Sequence, residues 1–223
     1  MSSQNHRFPP IGSYGFLSDC HTAALVSFSG SVEWLCFPRF DSPSAFAALL
    51  DRDAGQMSLR PKGVIVPISR RYSPGTLVIE TTWVTDTGWV VVKDALTIAD
   101  WAPPESDRSL LRTMTCIDGE VEMEMECLPR FAYGAEAASW SGGELGEAVA
   151  TDADGNELLL TSDMELELGD GAARGTVTLR EDEAAFAILG ACLDGGDFRA
   201  DAADIVDVQH DIIAAGSRHG ARH

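Results

Sequence analysis

Lysine is nearly missing from this chain: of its 16 basic residues only Lys62 and Lys93 are lysine. Set against 35 acidic residues, that shortage gives 223 residues a formal net charge of -19. A surface so poor in cations has nothing to offset phosphate repulsion, which argues against nucleic acid or an anionic membrane as a partner. The deficit is uneven. Residues 1–100 carry nine acids and eight bases, whereas residues 101–223 carry 26 and eight. A well-solvated acidic surface accounts for this better than a cation site.

Other absences narrow the field further. No apolar run approaches the roughly 20 residues of a membrane-spanning helix, and the opening MSSQNHRFPPIG lacks the apolar stretch of a signal peptide. The five cysteines (Cys20, Cys36, Cys116, Cys127, Cys192) are odd in number and never spaced as CxxC. This usage fits a reducing compartment, so a cytoplasmic location is expected. There is no nucleophile elbow, P-loop, dinucleotide fingerprint or HExxH motif. His6, His21, His210, His219 and His223 are scattered without partners at ligand spacing, so neither a metal nor a cofactor is expected.

What is present is strand after strand. Thr22 to Phe28 and Ser31 to Cys36 flank Ser29-Gly30 as a hairpin. Ser42 and Pro43 then suit the cap and first position of a short helix over 44–50. Strands are expected at 56–60, 64–72, 77–85 and 89–98, the last two joined through Asp86-Thr87-Gly88. A second hairpin is expected from 109–117 and 120–128 around Asp118-Gly119. In its return arm Glu120, Glu122, Glu124 and Glu126 alternate with apolar residues and form a solvated face. Further strands follow at 157–161, 164–168, 176–179 and 184–193, and residues 200–215 pattern as an amphipathic helix through Ile205, Val208, Ile212 and Ile213. The fold class is all-β, an antiparallel sandwich with one or two short helices and a C-terminal helix or tail. Residues 1–12 form an extended arm, 13–195 the sandwich, and 196–223 a linker helix and tail.

Two groups of residues stand out as candidates. The Pro-bounded loop Phe37-Pro38-Arg39-Phe40-Asp41-Ser42-Pro43 holds a charge of each sign between aromatics. Arg39 and Asp41 are equally compatible with a local ion pair and with the rim of an interface or polar ligand site. Among five tryptophans, Trp34, Trp83 and Trp89 fall on strands and read as core. Trp101 and Trp140 fall in loops and are candidates for stacking on sugar rings.

Several blocks together resemble one family. They are Ser18-Asp19, Thr22 to Val26, Gly30-Ser31, Trp34-Leu35-Cys36, Pro38 to Pro43 and Phe46 to Leu50. Arg70-Arg71-Tyr72, Pro74 to Val78, Glu80-Thr81, Arg130-Phe131 and Tyr133-Gly134 extend the match over roughly residues 10–190. The pattern resembles the N-terminal domain of bacterial glycoside hydrolase family 15 proteins, the trehalase-like and glucoamylase-like enzymes. Ser18, His21 and Ala95-Leu96-Thr97 depart from the family's usual residues.

The resemblance implies a super-sandwich type of β-sandwich that precedes an (α/α)6 barrel. The barrel hydrolyses α-glucosidic bonds with inversion between two carboxylates, and both belong to the barrel. No catalytic residue is therefore carried over to this chain, which by itself is expected to be inactive. Its expected role is to pack on the barrel and shape the active-site entrance, with Trp34, Pro38, Arg39, Phe40 and Asp41 as interface candidates. Without the barrel, an exposed apolar patch near the opening hairpin and self-association are expected. A free-standing carbohydrate-binding module taking an α-glucoside through Trp101 or Trp140 is the rival expectation.

Overall fold

Alternation of apolar and polar residues in short runs, broken by glycine turns, builds a molecule of strands. The computed structural model describes residues 8–97 and 108–192. After a 3-10 turn at Ile11–Ser13 come β1 (Gly15–Ser18), β2 (Ala23–Val26), β3 (Ser31–Cys36), β4 (Ser44–Phe46), β5 (Gln56–Pro61), β6 (Ser69–Tyr72), β7 (Ile79–Val84) and β8 (Gly88–Leu96). The chain continues through β9 (Ser109–Leu128), a tight segment Phe131–Gly134, β10 (Glu136–Ala137), β11 (Ser139–Gly142) and β12 (Glu147–Thr151). It closes with β13 (Glu157–Ser162), β14 (Glu165–Gly169), β15 (Ala172–Arg180) and β16 (Ala184–Cys192).

All pairings are antiparallel, and β9 belongs to both layers of the sandwich. Its first half lies between β8 and β16 in one sheet, ordered β6-β7-β8-β9-β16-β13-β12-β11. Its second half lies between β5 and β15 in the other, ordered β1-β2-β3-β5-β9-β15-β14, with β4 beside β3. The hairpin expected at Asp118-Gly119 is therefore replaced by one continuous 20-residue strand. Gly119 does adopt the positive φ of +73° that such a dipeptide favours, but it stays paired with Gly88 inside the strand, next to a bulge whose extra residue is Ile117. There Asp118 pairs with Trp89 and Cys116 with Val90, and β9 bends from one sheet into the other.

The space between the sheets is filled by one apolar cluster. It includes Leu17, Leu35, Phe46, Met57, Leu59, Ile79, Trp83, Leu110, Met114, Met123 and Leu160. At its centre the buried Arg112 of β9 donates from Nε to Asp94 of β8 at 2.8 Å. Its other nitrogens reach the Met57 and Gly30 carbonyls of the opposite sheet, each at 2.8 Å.

The four alternating glutamates lie on the outer face, as their pattern requires, and each has a cation. Arg180, Lys62, Arg60 and Arg174 pair with Glu120, Glu122, Glu124 and Glu126 respectively. These are cross-strand contacts from the two ladder neighbours of β9, a geometry that period-two alternation alone does not reveal.

Other expectations are corrected. Residues 44–50 form β4 and a turn rather than a helix. Ala45, Phe46, Ala47 and Ala48 are all buried, and Phe46 pairs with Leu35 of β3. A short surface helix would present part of that run to water. The strand expected over 64–72 shrinks to its last four residues, and Ile65, Val66 and Ile68 are exposed. Trp83 is core, but Trp89 is exposed and Trp34 only half-buried. The 200–215 helix and most of the arm and tail lie outside the described residues.

Candidate functional site

The first sheet carries an unusual outer face at its β1–β3 end. Leu17, Ala24 and Leu35 are cross-strand partners with no exposure, and they face the core. Their neighbours Phe16, Leu25 and Trp34 are likewise partners across the three strands and face outward. Phe16 is 45% exposed, and Leu25 and Trp34 are half-buried. Tyr133 extends this row: its ring centroid lies 6.2 Å from that of Trp34, and its side of the row is open to solvent.

Local backbone geometry aims these rings. A bulge at Glu33 shifts the β2–β3 register, so Val32 and Leu35 both point inward while Trp34 points out. Ala132 and Tyr133 have φ of 51° and 61°, an uncommon conformation for residues with a Cβ. The Tyr133 N–H is held by Ser44 Oγ at 3.0 Å. Strain retained at an exposed aromatic is the kind of feature that clusters at binding surfaces.

Beneath the row, Tyr14, Glu33 and Arg52 form a polar anchor. Tyr14 OH and Arg52 Nη1 both donate to Glu33 Oε2 at 2.5 Å, and the Arg52 guanidinium covers the Phe8 ring at 4.4 Å. Burial first, and then the hydrogen bond to Glu33, raise the Tyr14 pKa above its ordinary value. A raised folded-state pKa means that this contribution is complete below the unfolded tyrosine pKa of about 10 and is lost as pH climbs through the folded value. Tyr14→Phe is expected to flatten the alkaline loss of stability between pH 9 and 11, read from urea midpoints. Parallel slopes for the two proteins would refute that assignment.

The Pro-bounded loop lies at the end of β3. Its Phe37–Pro38 peptide is cis. Arg39 Nε donates to Asp41 Oδ1 at 2.9 Å, which holds the Asp41 carboxyl below its usual range. Ser42 caps the turn by accepting the Arg39 N–H and donating its own N–H to the Arg39 carbonyl. Behind the loop, Phe40 N–H reaches the His21 carbonyl, Thr22 Oγ1 donates to the Cys36 carbonyl, and Arg108 reaches the Pro38 carbonyl at 3.4 Å. Phe40 is the most exposed of its aromatics at 58%. The loop is thus braced from behind and presents Arg39, Phe40 and Asp41 to solvent.

The remaining candidates separate. Trp140 sits on β11, packs against the core and donates its indole N–H to the Gly171 carbonyl at 2.9 Å. Trp101 lies outside the described residues. Phe16, Leu25 and Tyr133 were not singled out as site residues from sequence. Tyr133 was legible only as part of the Arg130-Phe131 and Tyr133-Gly134 block, whereas the row of Phe16 and Leu25 appears only once β1 is paired.

The buried carboxylates of Asp19 and Glu33 are held by the His21 and Thr22 N–H groups and by Tyr14 with Arg52, and Asp94 Oδ1 is held by Arg112 while its Oδ2 has no hydrogen-bond partner. Among the described residues no group of three or more His, Cys, Asp or Glu could hold a metal ion. Nor is any described helix long and apolar enough to cross a membrane. Burial raises the thiol pKa values of Cys36, Cys116 and Cys127, which makes them inert core groups.

Comparison with known proteins gives this geometry a context. The model for trehalase-like N-terminal domains matches residues 4–162. The trehalases of Mycolicibacterium smegmatis and Mycobacterium tuberculosis are 45% and 44% identical over 202 residues. Trehalase 1 of Sulfolobus acidocaldarius is 34% identical over 120 residues, which cover 54% of this chain and 19% of that protein. The match to the two mycobacterial enzymes takes in 82% of this chain but only 30% of their length. With a β-sandwich fold and a family match over most of its length, this chain belongs to the trehalase-like N-terminal domain family.

Proposed function

We propose that this chain is the non-catalytic N-terminal domain of a trehalase-type enzyme of glycoside hydrolase family 15, and that it docks on an (α/α)6-barrel catalytic domain. The supporting observation is the outward row Phe16, Leu25, Trp34 and Tyr133, an apolar and aromatic face beside a braced charged loop. Such a face is costly to leave in water and fits a protein surface of matching shape. Arg39, Phe40 and Asp41 form its rim beside the apolar row. The α-glucosidic bond itself is cleaved by the barrel's carboxylates, and the docked loop helps shape the entrance to them.

The test uses the chain together with the remaining, barrel-bearing part of a mycobacterial trehalase, the two supplied as separate polypeptides. Association and recovery of trehalose hydrolysis are expected for the mixture, with no hydrolysis by the chain alone. Trp34→Asp combined with Tyr133→Asp should weaken association at least tenfold while leaving the chain's own urea midpoint within error. Glucose release by the chain alone, or association indifferent to the double substitution, would sink the proposal.

A further inference from the structure

Each sheet begins with a four-residue edge strand, β1 in one and β6 in the other. Among the described residues β1 pairs only with β2 and β6 only with β7. The outer side of such a strand offers backbone N–H and C=O groups to no ladder partner, and edges of this kind open first. Phe16 of β1 nevertheless has both groups engaged. Its N–H donates to the Tyr72 hydroxyl oxygen at 2.8 Å, and that hydroxyl donates to its carbonyl at 3.1 Å. One side chain of β6 thus supplies the two bonds that a neighbouring strand would supply.

Arg70 lies two residues before Tyr72, on the same face of β6, and fastens the start of β1. Its Nη1 donates to the carbonyl of Val26, the ladder partner of Gly15, at 3.1 Å, and its Nη2 donates to the Ser13 carbonyl. Arg71 alternates with them and pairs with Glu80 instead. Close approach completes the seam: a Cβ at Gly15 would collide with Ile79, the ladder partner of Tyr72.

We propose that Tyr72, with Arg70 beside it, is a positioning residue for the outward aromatic row, fixing β1 so that Phe16 stands ready for the partner domain. This rests on the docking function proposed above. Leu25 and Trp34 sit on strands with neighbours on both sides, whereas Phe16 is the member of the row on an edge. A loosened edge would have to be ordered again on docking, a cost that a preformed row avoids. Tyr72 is itself 45% exposed, so the rival role is direct contact with the partner.

Two measurements on Tyr72→Phe separate these roles, with Arg71→Ala as the control. In amide hydrogen exchange of the chain alone, the Phe16 N–H should exchange about tenfold faster once its acceptor is gone. Met125, laddered on both sides within β9, should keep its rate, and Arg71→Ala should change neither. An unchanged Phe16 rate, or an equal acceleration at Met125, overturns the proposal. The second measurement is affinity for the barrel-bearing part of a mycobacterial trehalase. Tyr72→Phe should weaken it about threefold to tenfold, the range for ordering one more side chain on binding. In a Phe16→Ala background the same substitution should have no further effect, because no ring is left to position. Equal weakening in both backgrounds would make Tyr72 a direct contact and overturn the proposal, as would no weakening in either. If the unmodified chain does not associate at all, it is the docking function that fails, and Phe16 exchange still decides whether Tyr72 fixes β1.

Discussion

Arg112→Ala is expected to lower folding stability by about 3–5 kcal/mol, the usual cost of breaking a buried ion pair by removing one partner. Total stability for a domain is about 5–15 kcal/mol, so much of the population would unfold under mild stress. The reason is local. Arg112 and Asp94 are at most 1% exposed, and the alanine would strand the Asp94 carboxylate without its cation. It would also remove one donor from each of the Met57 and Gly30 carbonyls, leaving them their backbone partners. Asp94 and Arg112 belong to one sheet, Gly30 and Met57 to the other, so the guanidinium is a polar tie across the sandwich. The double replacement Asp94→Leu, Arg112→Met separates charge from tie. It leaves no unpaired charge, yet about 1–3 kcal/mol should still be lost because the guanidinium's hydrogen bonds to the Met57 and Gly30 carbonyls are gone. Urea denaturation of the three proteins measures both numbers. A loss below about 1 kcal/mol for Arg112→Ala would contradict this account, since breaking such pairs is strongly destabilising.

Gly119→Ala is the second large effect, on the order of 3 kcal/mol. Two costs combine: about 1–3 kcal/mol for a Cβ at positive φ and about 1–3 kcal/mol for overpacking. The overpacking is specific, because the new Cβ would collide with the Thr87 carbonyl. That carbonyl cannot retreat without losing the Glu120 N–H, which it accepts at 3.0 Å. On the other side, Glu181 N–H holds the Gly119 carbonyl at 3.0 Å and Asp182 N–H holds that of Cys116. The point where β9 changes sheets is thus gripped by the β7–β8 turn and the β15–β16 turn. Gly75→Ala is the matched control: its φ of 76° is nearly the same, but nothing lies within 4 Å of the new Cβ. It should cost about 1–2 kcal/mol, the backbone term alone. Equal midpoints for the two variants would mean that close approach at the crossing contributes nothing.

These sites mark where local reading succeeds and where it stops. Asp118-Gly119 is a sound hairpin signal, and Gly119 does take the backbone conformation the signal is built on. Whether a positive-φ glycine reverses a chain or kinks a strand depends on what lies beside it, here two other turns from 30 to 60 residues away. The Ser44 to Leu50 run shows the same limit. Its cap and proline favour a helix, but four consecutive buried residues and the Leu35–Phe46 pairing draw it into a ladder. The braced loop was visible because its prolines and ion pair are contiguous in sequence. Phe16, Leu25, Trp34 and Tyr133 were not visible as a unit, because their contact is made across strands separated by up to about 100 residues.

By itself the sequence determined the all-β class, the first hairpin, the solvated glutamate face and the family, since each rests on periodicity or on residues adjacent in the chain. Tertiary structure alone decided that β9 joins both sheets, that Arg112 ties them, and which aromatic row faces outward. Those depend on strand register. A shift of one residue in a ladder moves every side chain to the other face, and register follows from how the whole core packs, not from any one segment.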